Sequence, residues 1–301
     1  MKKRILITGA SGLLGRELLK TLKEKGHQVS VLSRSSKKTD DVPAYVWDVD
    51  QQTIDPACVD GIDTIVHLAG ESVAEKKWSD KQKKQIIDSR VLSTRLLHKV
   101  IKEHGPDVKN FISASAVGYY GDSGEEILTE DSENGYGFLA ECCRQWEREV
   151  DLGKTLGLRI AKIRIGFVLS KKGGGLQAIE KPVRFFAGAP LGSGRQWMPW
   201  VHIDDIVNIF VHAIENPMLS GAYNACAPFP VTNKTLTAAL AKKLHRPLWP
   251  IHVPEKLLKL ILGEMSTIAT MSTNTSAQKI LETGFMFKFT RLDDALSDIY
   301  R

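Results

Sequence analysis

The feature that most constrains this chain is its beginning, Arg4-Ile-Leu-Ile-Thr-Gly-Ala-Ser-Gly-Leu-Leu-Gly15. An apolar run stops at Gly9, and a helical pattern restarts at Leu13 and continues through Arg16-Glu-Leu-Leu-Lys-Thr-Leu-Lys23. In a parallel α/β sheet, such a strand, loop and helix present backbone N–H groups and a helix N-terminus to a pyrophosphate. Gly9 allows the tight turn, Gly12 lets a ligand approach the backbone, and Gly15 lets helix and strand pack closely. Ser11, Leu13 and Leu14 complete the cradle. The spacing, G-x-x-G-x-x-G, is one residue wider in its first interval than the usual dinucleotide fingerprint.

The next apolar run, residues 28–32, ends at Ser33-Arg34-Ser35, with Lys37 and Lys38 close behind. A dinucleotide fold carries an acidic residue near this point to bind the ribose 2′-hydroxyl, and none is present. A hydroxyl and a guanidinium suit a 2′-phosphate instead, because Arg forms paired charge-assisted hydrogen bonds. The expected cofactor is therefore NADP(H) rather than NAD, the plainer alternative being a solvated basic loop. Tyr45-Val-Trp-Asp-Val49 reads as the third strand. Asp48 at its end either faces the adenine edge or caps the following turn, and Val49 is placed to pack on the ring. Asp63-Thr-Ile-Val-His-Leu-Ala-Gly70 reads as the fourth strand. Its end, Leu68-Ala69-Gly70, lets the cofactor lie close to the backbone, while His67 reads as a packed core residue.

Composition narrows the class. The chain has 301 residues, 43% hydrophobic and 25% charged, as an ordinary globular protein does. No apolar stretch is long enough to span a membrane. Cys58, Cys142, Cys143 and Cys226 show no C-x-x-C spacing, which fits reduced thiols and a cytoplasmic location. Net charge is +6, partly accounted for by a phosphate-rich ligand. Residues 79–103 form a long amphipathic helix whose entrance carries Lys76, Lys77, Lys81, Lys83 and Lys84. Only Trp78 accompanies that cluster, so it reads as a solvated face and not as a nucleic-acid or membrane site. No metal-ligand, Ser-His-Asp or P-loop pattern occurs.

Four segments in order resemble the extended short-chain dehydrogenase/reductases, the superfamily of NAD-dependent sugar-nucleotide epimerases and dehydratases. They are Thr8-Gly-Ala-Ser-Gly-Leu-Leu-Gly15, His67-Leu-Ala-Gly70, Ser113-Ala-Ser-Ala-Val-Gly-Tyr-Tyr-Gly121 and Val201-His-Ile-Asp-Asp205. Leu68-Ala-Gly-Glu71, Trp78, Ser89-Arg90, Trp146-Glu147, Gly192-Ser-Gly-Arg-Gln-Trp197 and Gly284-Phe-Met-Phe287 resemble an atypical "epimerase family" subgroup with its own C-terminal domain. The resemblance implies an α/β fold, a Rossmann-type doubly wound parallel sheet with a smaller C-terminal substrate lobe. The expected division is 1–225 for the NADP(H)-binding domain, with 167–200 contributing to the substrate lobe, and 226–301 for a small, mainly helical lobe. Relatives often dimerise through two helices, here about 79–103 and 136–156, so a homodimer is an expected partner alongside a small-molecule substrate.

The resemblance also implies a catalytic Ser/Thr and a Tyr-x-x-x-Lys pair, in which the Lys lowers the Tyr pKa and holds the nicotinamide ribose. The only tyrosine in place is Tyr136, on the expected helix, and position 140 is Ala. Without that cation a phenol with an ordinary pKa near ~10 stays protonated at neutral pH. Aligning on Tyr120-Gly121 puts Ala116 at the serine position, with Ser115 one residue earlier. The catalytic candidates are therefore Ser115, Tyr136 and Tyr119, and the substrate candidates are Glu71, Arg195 and Trp197. Arg164, inside a strand pattern, calls for an acidic or backbone partner. His202 and Asp204-Asp205 read as a structural junction, with Asp204 or Asp205 capping the next helix. Two functional classes stay open: an oxidoreductase or epimerase on a sugar nucleotide or other carbonyl or hydroxyl compound, and a non-catalytic NADP(H) sensor that binds a protein partner.

Overall fold

A computed structural model describes residues 2–35 and 42–301, so Lys37 and Lys38 lie outside the described residues. Eight strands make the central sheet: β1 (Arg4–Thr8), β2 (Gln28–Ser33), β3 (Ala44–Asp48), β4 (Thr53–Ile54), β5 (Thr64–His67), β6 (Asn110–Ala116), β7 (Arg159–Ile165) and β8 (Gly221–Ala225). Their order is β8-β7-β6-β5-β1-β2-β3-β4, parallel throughout except for the short β3–β4 pair. The chain winds outward from β1 in one direction through β2 and β3, then in the other through β5 to β8. The strand order therefore reverses between β1 and β5, and ligands of such sheets bind beyond the carboxyl ends at this point.

Helices cover both faces, which is why the central strands read as unbroken apolar runs. Ile5, Leu6 and Ile7 of β1 are all fully buried. The helices α1 (Leu13–Glu24), α2 (Asp80–His104), α3 (Phe138–Asp151), α4 (Gly175–Arg184) and α5 (Ile203–Glu215) follow in chain order. α1 packs with α5, and α2 with α3. In α1 the buried side is Leu18, Leu19 and Leu22, the apolar spacing of its sequence. Ser79 caps α2 by accepting the Gln82 N–H at 3.2 Å, and Gly105 closes it.

A second core unites Leu169, Leu176, Trp200, Leu236, Leu240, Phe289 and Leu296, so the smaller lobe draws on the middle of the chain as well as its end. Ala277, Ile280 and Phe285 belong to the main core instead, pinning the tail to the sheet. The junction between lobes differs from expectation in its cap. His202, not Asp204 or Asp205, caps α5, its Nδ1 accepting the Asp204 N–H at 3.1 Å. Asp205 is fully buried and accepts the N–H groups of Lys288 (2.7 Å) and Phe289 (3.0 Å), while Asp204 pairs with the Lys288 ammonium at 2.8 Å. Asp204 and Asp205 thereby tie the start of α5 to Lys288 and Phe289, while His202 caps α5 itself. Among the described residues no helix is long and apolar enough to cross a membrane.

Candidate functional site

At the reversal point the glycine loop is held by geometry that only glycine satisfies. Gly9 has φ +71°, and a Cβ there would lie 2.8 Å from the Leu68 carbonyl carbon. A Cβ on Gly15 would sit 2.2 Å from the Gly9 oxygen, so any side chain would push α1 off the loop. Gly12 is the N-cap of α1 and provides no side-chain cap, which leaves the helix N-terminus open toward the carboxyl end of the sheet.

One hydroxyl ties this loop to β5. Thr8, fully buried, accepts the N–H groups of Leu68 and Ala69, both at 3.1 Å, and lies 2.8 Å from His67 Nδ1. With its lone pairs occupied, the Thr8 hydroxyl donates to Nδ1, so the His67 proton is on Nε2, which faces Ser93 Oγ at 3.1 Å. Ser93 in turn donates to the Ser89 carbonyl at 2.6 Å. Burial pushes the His67 imidazole down to about 3, with the His98 and Arg90 charges adding to the effect. His67 is thus a neutral core residue, as its apolar setting suggested, and it connects β1, β5 and α2.

Ser33, Arg34, Asp48 and Val49 lie at or just past the carboxyl ends of β2 and β3. Ser33 is half-buried at the end of β2 and accepts the Ser35 N–H at 3.3 Å. Arg34 is exposed and its side chain has no hydrogen-bond or ion-pair partner among the described residues. Asp48 caps the turn after β3, accepting the N–H groups of Asp50 and Gln51 at 2.9 Å each, the plainer of its two readings. Val49 is half-buried against the main core.

The catalytic candidates do not form one constellation. Tyr136 is displaced from its expected helix: Gly137, at φ +96°, interrupts the chain, and α3 begins only at Phe138. The Tyr136 ring is 97% exposed, whereas Ala140 is fully buried. Ser115 is also a correction, because its hydroxyl is buried and donates to Glu147 Oε1 of α3 at 2.7 Å. Glu147 pairs doubly with Arg164, at 2.8 and 3.0 Å, and with Lys162 at 3.2 Å. Burial alone would raise the Glu147 carboxyl; the Arg164, Lys162 and Ser115 partners outweigh it and hold the carboxyl below its ordinary range. Arg164 thereby has the acidic partner its sequence context required. Tyr119 stacks on Arg164 with its ring centre 3.6 Å from the guanidinium, and Tyr120 accepts from Arg164 at 2.8 Å while donating to Asn224 at 2.7 Å. Ser115 and Tyr119 therefore meet on one buried ion pair, and Tyr136 stands outside it. A cavity of about 420 Å³ borders that pair, beside Tyr119, Arg148 and Lys162. Another of about 440 Å³ lies at the opposite end of the sheet, against Lys3 and Asn110. Arg159 there bonds Asn110 Oδ1 at 2.8 Å and the Ala213 carbonyl at 2.9 Å, and so closes the α5 C-terminus.

Of the substrate candidates, Glu71 is half-buried and its carboxylate is held by Lys76 at 3.3 Å and Gln82 at 3.5 Å. Trp197, half-buried, is anchored through its backbone N–H to Ser272 Oγ at 3.0 Å, and Ser272 N–H reaches Asp122 at 3.2 Å in the loop after β6. Arg195 is exposed, and its side chain has no partner among the described residues. Sequence reasoning assigned no role to Phe138, whose ring meets Trp78 edge-on at 4.7 Å, or to the Lys83–Glu264 ion pair joining α2 to the smaller lobe. Arg90 was also missed. It stacks over Trp146 at 5.1 Å and donates from Nη1 to the carbonyls of Glu71 (3.0 Å) and Ile86 (2.9 Å). Its signal in the sequence was the Ser89-Arg90 pair, without any periodicity to explain it.

The chain is similar to known proteins in sequence and in fold. Residues 5–150 and 176–226 match the NAD dependent epimerase/dehydratase family, and residues 253–299 match a domain of unknown function, DUF1731. The chain is 37% identical over 303 residues to the chloroplastic epimerase family protein SDR39U1 homolog of Arabidopsis thaliana, covering 98% of this chain and 86% of the relative. It is 35% identical to epimerase family protein YfhF of Bacillus subtilis, covering 98% and 97%. Among solved structures, human epimerase family protein SDR39U1 with NADPH superposes with a TM-score of 0.85 at 27% identity, covering 99% of each chain. The nucleoside-diphosphate sugar epimerase of Corynebacterium glutamicum superposes at 0.82 with 34% identity over the whole chain, which spans 58% of that longer protein. With its glycine loop at the strand reversal and the family's segments in order, the chain belongs to the NAD-dependent epimerase/dehydratase family.

Proposed function

We propose that this protein binds NADP(H) at the β1–β5 reversal and uses it as an oxidoreductase or epimerase on a sugar nucleotide or another carbonyl or hydroxyl compound. The observation that carries the cofactor reading is the pairing of a glycine cradle that Cβ atoms would fill with Arg34, just past the end of β2, whose side chain is exposed and has no partner among the described residues. Gly12, Leu13 and Leu14 offer N–H groups to the pyrophosphate, Ser33 and Arg34 take the 2′-phosphate, and Leu68, Ala69 and Gly70 line the path toward β6. When bound, the nicotinamide supplies a hydride donor or acceptor. The human relative's structure with NADPH and the Corynebacterium relative's name support the cofactor and the sugar-nucleotide class respectively. Glu71, Arg195 and Trp197 are the substrate-side candidates.

Calorimetric titration tests this reading. NADPH is expected to bind at least about tenfold more tightly than NADH, and Arg34→Gln to abolish the difference. Equal or absent binding of the two overturns it. The sensor reading is favoured by one observation, the absence of a Tyr-x-x-x-Lys pair in the folded chain, with Tyr136 in solvent and Ala140 in the core. Oxidation of bound NADPH by a panel of carbonyl compounds separates the two: turnover supports the enzyme, and none across the panel supports the sensor.

A further inference from the structure

The geometry points to Arg90 of α2 as the cation that contacts the nicotinamide half of the cofactor, an assignment that rests on the NADP(H) reading above. No cation projects into this region from α3 at position 140, where the residue is a buried alanine. Arg90 arrives from the neighbouring helix instead. A Cβ on Gly70, three residues past β5, would lie 3.1 Å from the Arg90 guanidinium carbon, so a side chain there would press the guanidinium away from the cleft edge. On its other side the group stacks on Trp146 of α3, and its charge acts on the Cys142 and Cys143 thiols of that helix. Arg90 therefore bridges the carboxyl end of β5 and the helix that covers β6.

Its partners are incomplete for a half-buried cation. Nη1 donates to two carbonyls, and among the described residues Nε and Nη2 have no acceptor and no carboxylate forms an ion pair with the group. Backbone carbonyls and an indole face carry partial charge only, so an oxygen-rich ligand in the cleft completes the set. The strand order says which part of the ligand this is. Arg34 lies at β2, on one side of the glycine loop at β1; Arg90 lies at β5, on the other. A dinucleotide with its 2′-phosphate at Arg34 and its pyrophosphate at Gly12 extends its nicotinamide ribose over β5 and β6. Arg90 there donates from Nε and Nη2 to the ribose oxygens. Its role there is to position the ribose by hydrogen bonding.

The test compares a whole and a half cofactor. NADPH occupies both sides of the loop, whereas adenosine 2′,5′-bisphosphate occupies only the Arg34 side. Arg90→Met is expected to weaken NADPH about tenfold and to leave the half-ligand within about twofold, and Arg90→Lys to recover part of the loss. If Arg90→Met does not fold, Arg90→Lys carries the same comparison, with a loss of about threefold confined to NADPH. Parallel weakening of both ligands, or no change in either, overturns the assignment in favour of a purely structural arginine. A wild-type protein that binds the half-ligand but shows no gain from the nicotinamide half overturns it too. Failure of the wild type to bind either ligand overturns the NADP(H) reading itself, and the assignment with it.

Discussion

Replacing Thr8 with valine removes one hydroxyl and almost no volume, so it isolates the junction between the glycine loop and β5. The hydroxyl accepts two N–H groups at 3.1 Å and serves His67 Nδ1 at 2.8 Å, in a residue with no exposed surface. Leu68 and Ala69 are half-buried, and the Leu68 N–H keeps the Thr8 carbonyl at 3.3 Å as an acceptor, which limits that part of the loss. His67 is fully buried and its Nδ1 is left without a donor. A stranded buried acceptor and two weakened backbone donors together cost about 2–4 kcal/mol. Urea titration is expected to show a lower midpoint at unchanged slope, and thermal melting a drop of roughly 4–10 °C. Thr8→Ser, which keeps the hydroxyl, is expected to lose less than half as much. NADPH affinity falls in the valine variant because residues 68–70 lose their tether. A loss below about 0.5 kcal/mol in Thr8→Val, or equal losses in the two variants, refutes the hydroxyl as the junction.

Other consequences follow from the same geometry. Gly15→Ala places a Cβ against the Gly9 carbonyl and is expected to destabilise by at least ~2 kcal/mol and to abolish NADPH binding; wild-type affinity in a folded variant contradicts the packing described. Ser115→Ala removes the 2.7 Å bond to Glu147 and is expected to cost about 1 kcal/mol with NADPH affinity unchanged; loss of NADPH-dependent turnover at unchanged stability restores Ser115 to the reaction. Burial holds His67 near 3 and His98 near 4, against an ordinary 6.5, so both are neutral when folded. The unfolded chain takes up protons below pH 6.5 and the folded chain does not, so stability is complete above pH 6.5 and falls toward pH 4. Each group contributes up to about 1.4 kcal/mol per pH unit. His98→Leu is expected to remove about one proton from that slope, and an unchanged slope contradicts the assignment.

How much of this was legible in the sequence depended on whether the constraint was local. Gly9 and Gly15 announced themselves because backbone turning and close helix contact leave no other residue possible, and the apolar runs on either side gave the strand and helix. The end of β2 at Ser33, with Arg34 directly after it, was legible because the apolar run before it stops there. Tyr136 was misplaced because motif spacing carried a helix two residues too far, while Gly137 at positive φ sets the true start at Phe138. Ser115 was misassigned because one residue of register along β6 turns a side chain from one face of the sheet to the other, and its face meets Glu147. The contacts of Arg90 were invisible to any local pattern, since they depend on α2, α3 and the segment after β5 meeting at one point. Asp48, by contrast, had its turn-capping role written in the residues that follow it.

The most direct measurement is a crystal structure with NADPH. The account expects the pyrophosphate on the N–H groups at Gly12 and Leu13, the 2′-phosphate on Ser33 and Arg34, and the nicotinamide ribose within hydrogen-bond reach of Arg90, with Tyr136 clear of the ring. A 2′-phosphate bound away from Arg34, or a cofactor that leaves the glycine loop untouched, contradicts it.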